Sequence, residues 1–356
     1  MRILDRYVVR EVMSPFAFGV AVFATFLLVN HLFLLARITL HQQLPPGTIL
    51  HLLLLRIPYA VVFSLPMGLL LGTLLAFGRL SERNEVVAMR TSGISLLRVA
   101  GPVVVTAVLV AGLTILLAET VVPVSEDRHH RAFADATGAP RVAGSHILFR
   151  EEVGERVSIF YARSFGEDAS VLRHLTVNEF QGGRLRRVIE AEEARYRQGA
   201  GWAFLRGTLY VLDGPTTVRA AFARMAVDLQ RTPREILLGR KDPSEMTIRE
   251  LRAYIAVLRR ASESVAQYVV WLHSRVAFPA SAIIFALLAV PLGLRPYRGG
   301  TALGLGITVV ILIGYYVLLN TTLALGQTER LPPVLAAWAP NLITGGVAGV
   351  LLWRAR

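Results

Sequence analysis

The sequence predicts an α-helical polytopic membrane protein with six transmembrane helices and an inserted all-β, jelly-roll-like domain between the third and fourth. Three observations predict it. The chain of 356 residues is 54% hydrophobic, with a mean hydropathy of +0.51, more apolar than a water-soluble domain. Six apolar runs reach about the 20 residues that the hydrocarbon core of a bilayer requires. Between the third and fourth, from about Ser125 to Ala266, the chain carries 23 basic and 19 acidic residues and has no run able to cross. The division is therefore residues 1–124, 125–266 and 267–356.

In order, Arg2, Arg6 and Arg10 mix with Asp5 and Glu11 before an apolar run from Ser14 to Ala36. That run is too long for the apolar region of a signal peptide, and no small-residue cleavage site follows it. A polar link, Arg37 to Thr48, contains Pro45-Pro46-Gly47, and the second span runs from about Ile49 to Phe77, broken by Pro58 and Pro66. A short charged helix over about 81–93 follows, with Ser81 as cap, Glu82 and Glu85 in the first turn, Arg90 in the last and Gly93 as the stop. About three turns of helix are marginal alone in water, so something must hold it. The third span covers roughly Leu96 to Val122.

The polar region alternates with the two-residue period of half-buried strands at His146–Arg150, Val157–Phe165, His174–Phe180, Trp202–Leu212 and Ala221–Leu229. Gly182-Gly183, Gly199-Ala200-Gly201 and Gly214-Pro215 supply turns, and the spacing predicts a sandwich or jelly roll. Inward candidates are Ile159, Tyr161, Leu175, Val177, Phe204, Leu209 and Met225; Arg163 and Arg206 point outward. After Pro233 and Pro243, Thr247-Ile248-Arg249-Glu250 forms a capping box opening an amphipathic helix to about Arg260. The last spans cover about Gln267–Leu292, Ala302–Leu323 and Val334–Trp353.

Six spans put both termini on one side. Arg2, Arg6, Arg10, Arg79, Arg83, Arg90, Arg98, Arg295, Arg298, Arg354 and Arg356 fall there, against Arg37 and Arg330 on the other side. Positive charge marks the cytoplasmic side, so the termini and the short charged helix are expected in the cytoplasm and the β domain on the far face. The net charge of +13 lies at the ends of apolar runs instead of forming one stripe, which argues against nucleic acid. No cysteine is present, excluding disulfides, thiol catalysis and Cys-ligated metal. The single lysine, Lys241, precedes Asp242, so the chain has no GxxxxGK[ST] phosphate loop and another chain must supply any nucleotide energy. His31, His41, His51 and His273 lie near one level without metal-ligand spacing, and Ser64 and Ser274 lack a GxSxG context. No enzymatic activity, metal or cofactor is expected of this chain.

LDRY near the N-terminus, PMGLLLGTLLAFGRLSERNEVVAMRTSGIS, AETVVP (Ala118–Pro123), HSRVAFP opening the fourth span, PLGLR closing it and LPPVLAAWAPNL before the last resemble the lipopolysaccharide-export permeases of the LptF/LptG (YjgP/YjgQ) family. The resemblance covers all six spans, with the β insertion in the matching position. It implies one transmembrane half of an ABC transporter in the inner membrane of a diderm bacterium, with the β domain in the periplasm. ATP would be bound by a separate LptB-like ATPase dimer. The other implied partners are a second permease half, identical or paralogous, and LptC- and LptA-like periplasmic β-jellyroll proteins that receive the lipopolysaccharide. In the family the helix between the second and third spans docks on the ATPase and its glutamate pairs with an ATPase arginine. Glu85 occupies that position, with Glu82 and Arg90 beside it.

For a phosphorylated, acylated lipid, arginines near the outer headgroup level and apolar walls are the candidate contacts. Arg37, Arg56 and Arg275 fall at that depth, and Ile159, Phe204 and Met225 would line the β domain. Two other functions fit the same layout: an ABC permease half for another envelope lipid or a lipoprotein, or a non-transporting assembly or anchoring protein.

Overall fold

The computed structural model describes residues 3–42, 44–137, 145–153, 156–165, 170–198, 201–213, 216–227, 229, 231–238, 241–260, 263–294 and 300–355. Arg2, Arg295, Arg298, Arg356, Gly199, Ala200, Gly214, Pro215 and the side chain of His41 lie outside the described residues. The chain divides into two compact units, Met1–His129 with Ala266–Arg356, and His130–Val265.

The first unit is helical. It contains α1 (Ile3–Gln42), α2 (Pro46–Glu82), α3 (Glu85–Thr91), most of α4 (Leu96–Thr137), α7 (Ala266–Gly293), α8 (Gly300–Gln327) and α9 (Pro333–Arg354). All but α3 contain a segment long and apolar enough to cross a membrane. The most buried is α2, which packs against α1, α7 and α8. Its glycines explain the approach to α1. A Cβ on Gly72 would stand 2.7 Å from Phe16 Cα, and one on Gly68 2.8 Å from the Val20 nitrogen. Lipid tails give apolar helices no reason to leave lipid for one another, so such small-residue notches drive close packing in a bilayer.

Polar links complete the bundle. The Tyr315 hydroxyl on α8 donates to Asn341 Oδ1 on α9 at 2.9 Å, and Asn341 Nδ2 donates to the Ala277 carbonyl on α7 at 2.6 Å. Leu4, Met89, Ile94, Leu352 and Ala355 all pack on the cluster formed by Val8, Val12, Leu96 and Val99. Large apolar residues such as Phe26, Leu109, Val310 and Val317 stay exposed, as expected of side chains solvated by hydrocarbon.

The second unit holds β1 (Ser145–Val153), β2 (Arg156–Phe165), β3 (Val171–Gln181), β4 (Arg184–Arg197), β5 (Gly201–Asp213) and β6 (Thr216–Val227), then α5 (Pro233–Leu238) and α6 (Ile248–Arg260). The inserted β domain is present, but its topology differs from the crossed connections of a jelly roll or sandwich. The strands form one antiparallel sheet in the order β1-β2-β3-β4-β5-β6, every neighbour joined as a hairpin. Short links dictate this. The β3–β4 turn is Gly182-Gly183, both at positive φ, 57° and 76°, the conformation a tight hairpin demands and a glycine adopts freely.

One face of the sheet is apolar. Phe160, Ala162, Leu175, Val177, Ile189, Ala191, Trp202 and Phe204 are buried there, with Leu209, Phe222 and Met225 partly covered. Its alternation reverses at one transverse row. Pairing skips Arg163–His174, His174–Glu192, Glu192–Arg206 and Arg206–Ala223, and both His174 and Arg206 have φ of +51°. Leu172 and Leu175 can therefore both face inward although three residues apart.

The capping box is formed at α6: Thr247 N–H donates to Glu250 Oε2 at 2.7 Å, and Glu250 N–H to Thr247 Oγ1 at 3.2 Å. Burial pushes the Glu250 carboxyl up, but the Thr247 N–H and the Lys241 ammonium, at 3.0 Å, outweigh it and leave the group below its ordinary range.

Candidate functional site

The short charged helix after the second span is real, and its boundaries differ from those expected. Helix α2 continues unbroken through Ser81 to Glu82, so Ser81 caps nothing; its hydroxyl donates to the Leu294 carbonyl at 2.9 Å. Glu82 accordingly lies in the last turn of α2, not in the first turn of the next helix. The break comes at Asn84, in the left-handed conformation at φ 57°, a position asparagine tolerates better than most residues. Helix α3 then runs only from Glu85 to Thr91, with Glu85 in its first turn and Arg90 in its last, and Gly93 at φ 82° turns the chain toward α4.

What holds α3 is α1. Tyr7 on α1 donates its hydroxyl to Glu85 Oε2 at 2.5 Å. Arg98, in the first turn of α4, pairs with Asp5 at 2.8 Å. Arg79, in the last turn of α2, donates to the Glu11 carboxylate at 2.8 Å and to the Glu11 carbonyl at 3.0 Å. Three side chains of the N-terminal turns thus clamp the end of α2, the start of α3 and the start of α4. Val86 is buried, while Val87 remains exposed on the outer side of α3.

Arg56 on α2, one of the three candidate arginines, is engaged within the chain. It pairs with Glu126 on α4 and lies 4.4 Å from the centroid of the Tyr59 ring. The two charged side chains are 23% and 10% exposed, and pairing answers the cost of an arginine among apolar helices. Beside it the Ser125 hydroxyl donates to the Leu55 carbonyl. His31 on α1 and His129 on α4 approach to 3.1 Å between Nε2 atoms, so one ring donates and the other accepts, and at most one is protonated. Arg37 is exposed near the end of α1, and Arg275 is half-buried on α7; His51 is exposed, and His273 half-buried. Among the described residues no group of three His, Asp or Glu could hold a metal ion.

In the β domain, Phe204 is buried and Met225 partly buried on the apolar face. Ile159 and Tyr161 do not face inward as expected. Phe160 pairs with Val177 and Ala162 with Leu175, placing even-numbered β2 residues inward, so Ile159 and Tyr161 belong to the other face. That opposite face carries a groove of about 410 Å³ lined by Tyr161, Arg163, His174, Glu190, Glu192 and Arg206. Arg206 pairs with Glu192 at 2.5 Å. The Arg195 hydrogen bond, followed by its charge and that of Arg206, holds the Glu193 carboxyl below its usual range.

Sequence reasoning missed Tyr7, Glu126 and His129. The signal for Glu126 was present: an arginine near the start of the second span requires a partner, and Glu126 follows the end of the third, at the same level.

Compared with known proteins, residues 6–354 match the family described as lipopolysaccharide export system permease LptF/LptG. The chain is 25% identical over 308 residues to the lipopolysaccharide export system permease protein LptG of Escherichia coli K12, covering 81% of this chain and 80% of the relative. Against LptG of Haemophilus influenzae Rd it is 25% identical over 298 residues, 81% of each chain. Against LptF of Escherichia coli K12 it is 24% identical over 366 residues, 99% of this chain and 95% of the relative.

Proposed function

Because this chain belongs to the LptF/LptG family of lipopolysaccharide export system permeases, we propose that it is one transmembrane half of an ABC transporter driven by a separate ATPase. It extracts lipopolysaccharide from the inner membrane and passes it along its β domain toward the outer membrane. The observation that carries this reading is the family match over residues 6–354, which takes in both the helices and the β insertion. The partners are an LptB-like ATPase dimer, a second permease half, and LptC- and LptA-like periplasmic proteins. The termini and α3 are cytoplasmic in this reading, and α3 is the docking element, with Glu85 as its acidic contact. The apolar face of the β domain suits acyl chains, since each buried methylene contributes about 0.8 kcal/mol, while sugar and phosphates stay in water. Lipid phosphates at the outer level fall to Arg37, Arg56 and Arg275, of which Arg56 is also paired with Glu126.

Purification of the complex from native membranes, followed by mass spectrometry, tests this. An ATPase, a second permease half and bound lipopolysaccharide are expected. A chain that comes away without an ATPase would favour the anchoring alternative, and an ATPase complex loaded with a different lipid would favour another cargo.

A further inference from the structure

The N-terminal helix does more than cross the membrane. Val8 and Val12 bury one face of its first turns in the helical core, while the flanking Asp5, Tyr7 and Glu11 reach α4, α3 and α2 respectively. The two outer ties are ion pairs and fix the backbone of these turns relative to α2 and α4. The middle tie is of another kind. Tyr7 is uncharged and binds one oxygen of the Glu85 carboxylate, Oε2, at 2.5 Å. The other oxygen, Oε1, has Arg83 at 3.8 Å, beyond hydrogen-bond reach, and the Arg83 side chain is 60% exposed. Glu85 is thus held by a hydrogen bond at one oxygen and only loosely paired, with an exposed arginine, at the other.

We propose that Tyr7 is a positioning residue for the coupling site: its hydroxyl fixes the Glu85 carboxylate so that Oε1 is presented to a cationic side chain of the docked ATPase. This deepens the reading of Glu85 as the ATPase contact and rests on it. An unheld glutamate loses rotamer freedom when it is bound, and a group fixed in advance in the bound conformation loses less. The hydroxyl also leaves the charge of the carboxylate intact, which a basic residue in its place would neutralise. The incoming cation displaces Arg83, not Tyr7, and the first turns of α1 then move with the docked helix.

The test is a double-mutant cycle on the assembled transporter, reading the affinity of the ATPase subunit for the permease in detergent. Tyr7→Phe keeps the ring and its packing and removes only the hydroxyl. It is expected to weaken ATPase binding by about fivefold to tenfold, the scale of a hydrogen bond to a charged group at a partly exposed site. In a Glu85→Ala background the same substitution is expected to change nothing, which a merely structural role for Tyr7 would not produce. If Tyr7→Phe binds like wild type while Glu85→Ala is weak, the positioning role is overturned and the docking role of Glu85 stands. Equal losses from Tyr7→Phe in both backgrounds also overturn it. If Glu85→Ala itself binds normally, both fall.

Discussion

Glu85→Ala is expected to leave the protein inserted and folded yet reduce ATP-driven lipopolysaccharide release from reconstituted vesicles to background. The side chain gives the fold one hydrogen bond, from Tyr7, and a 3.8 Å pair with Arg83. It is 29% exposed, its helix has only seven residues, and the clamp around it retains the Asp5–Arg98 and Glu11–Arg79 pairs. In the proposed docking role the same carboxylate would face a cation across a water-poor interface. Truncating one partner of such a pair costs about 2 kcal/mol or more, roughly thirtyfold in affinity, because the other charge is left unanswered. Normal ATPase binding and transport by the variant would remove α3 from the coupling path.

The second large effect is expected within the helical unit. Glu126→Ala leaves Arg56 without its carboxylate at a site where its side chain is mostly covered. Removing one partner of a buried pair typically costs about 3–5 kcal/mol, since the survivor is a desolvated charge. Because Arg56 retains some exposure and the Tyr59 ring, about 3 kcal/mol is expected, read as earlier thermal unfolding in detergent. The paired variant Arg56→Met with Glu126→Leu should recover most of that stability, since two apolar residues leave no charge to compensate. If the paired variant also exports lipid, Arg56 serves the bundle; if it is stable and inactive, Arg56 contacts the cargo. Unchanged stability in Glu126→Ala would contradict the pairing itself.

The elements most legible in the sequence were those whose physics is local. Six runs of bilayer length, the Thr247–Glu250 capping box and the Gly182-Gly183 turn each depend on neighbouring residues, and each is present. Glu85 was legible locally only as one of two first-turn acids, beside Glu82, and its docking role came from the family resemblance. What escaped depended on residues distant in the chain. Ser81 and Glu82 look like a helix start, but α2 runs through them to its end at Glu82, with Ser81 tied to Leu294 just beyond the end of α7.

Strand β4, RLRRVIEAEEARYR, was not foreseen at all. Its glutamates, arginines and alanines favour helix, and only Ile189, Ala191 and Ala194 are buried, so pairing on both edges overrides propensity. Ile159 was placed on the wrong face because its strand has apolar or aromatic residues at consecutive positions, and a shift of one residue exchanges the faces. Phe204 and Leu209, five apart, were nonetheless both placed inward correctly, and the interrupted row at Arg206 is what makes that possible.

The central claim is that this permease passes lipopolysaccharide along the apolar face of its β domain under ATP. The most direct measurement places a photo-reactive phenylalanine analogue at single sites in the complete transporter, reconstituted with its ATPase and lipopolysaccharide. Met225 and Leu209 lie on the apolar face, partly covered, Met225 paired with the buried Phe204 and Leu209 with the buried Ile189. Ile159 and Arg206 lie on the opposite face and serve as controls. The account predicts lipopolysaccharide adducts at Met225 and Leu209 that depend on ATP, and none at Ile159 or Arg206. Adducts of equal yield on both faces, or none at Met225 and Leu209 during turnover, would contradict it.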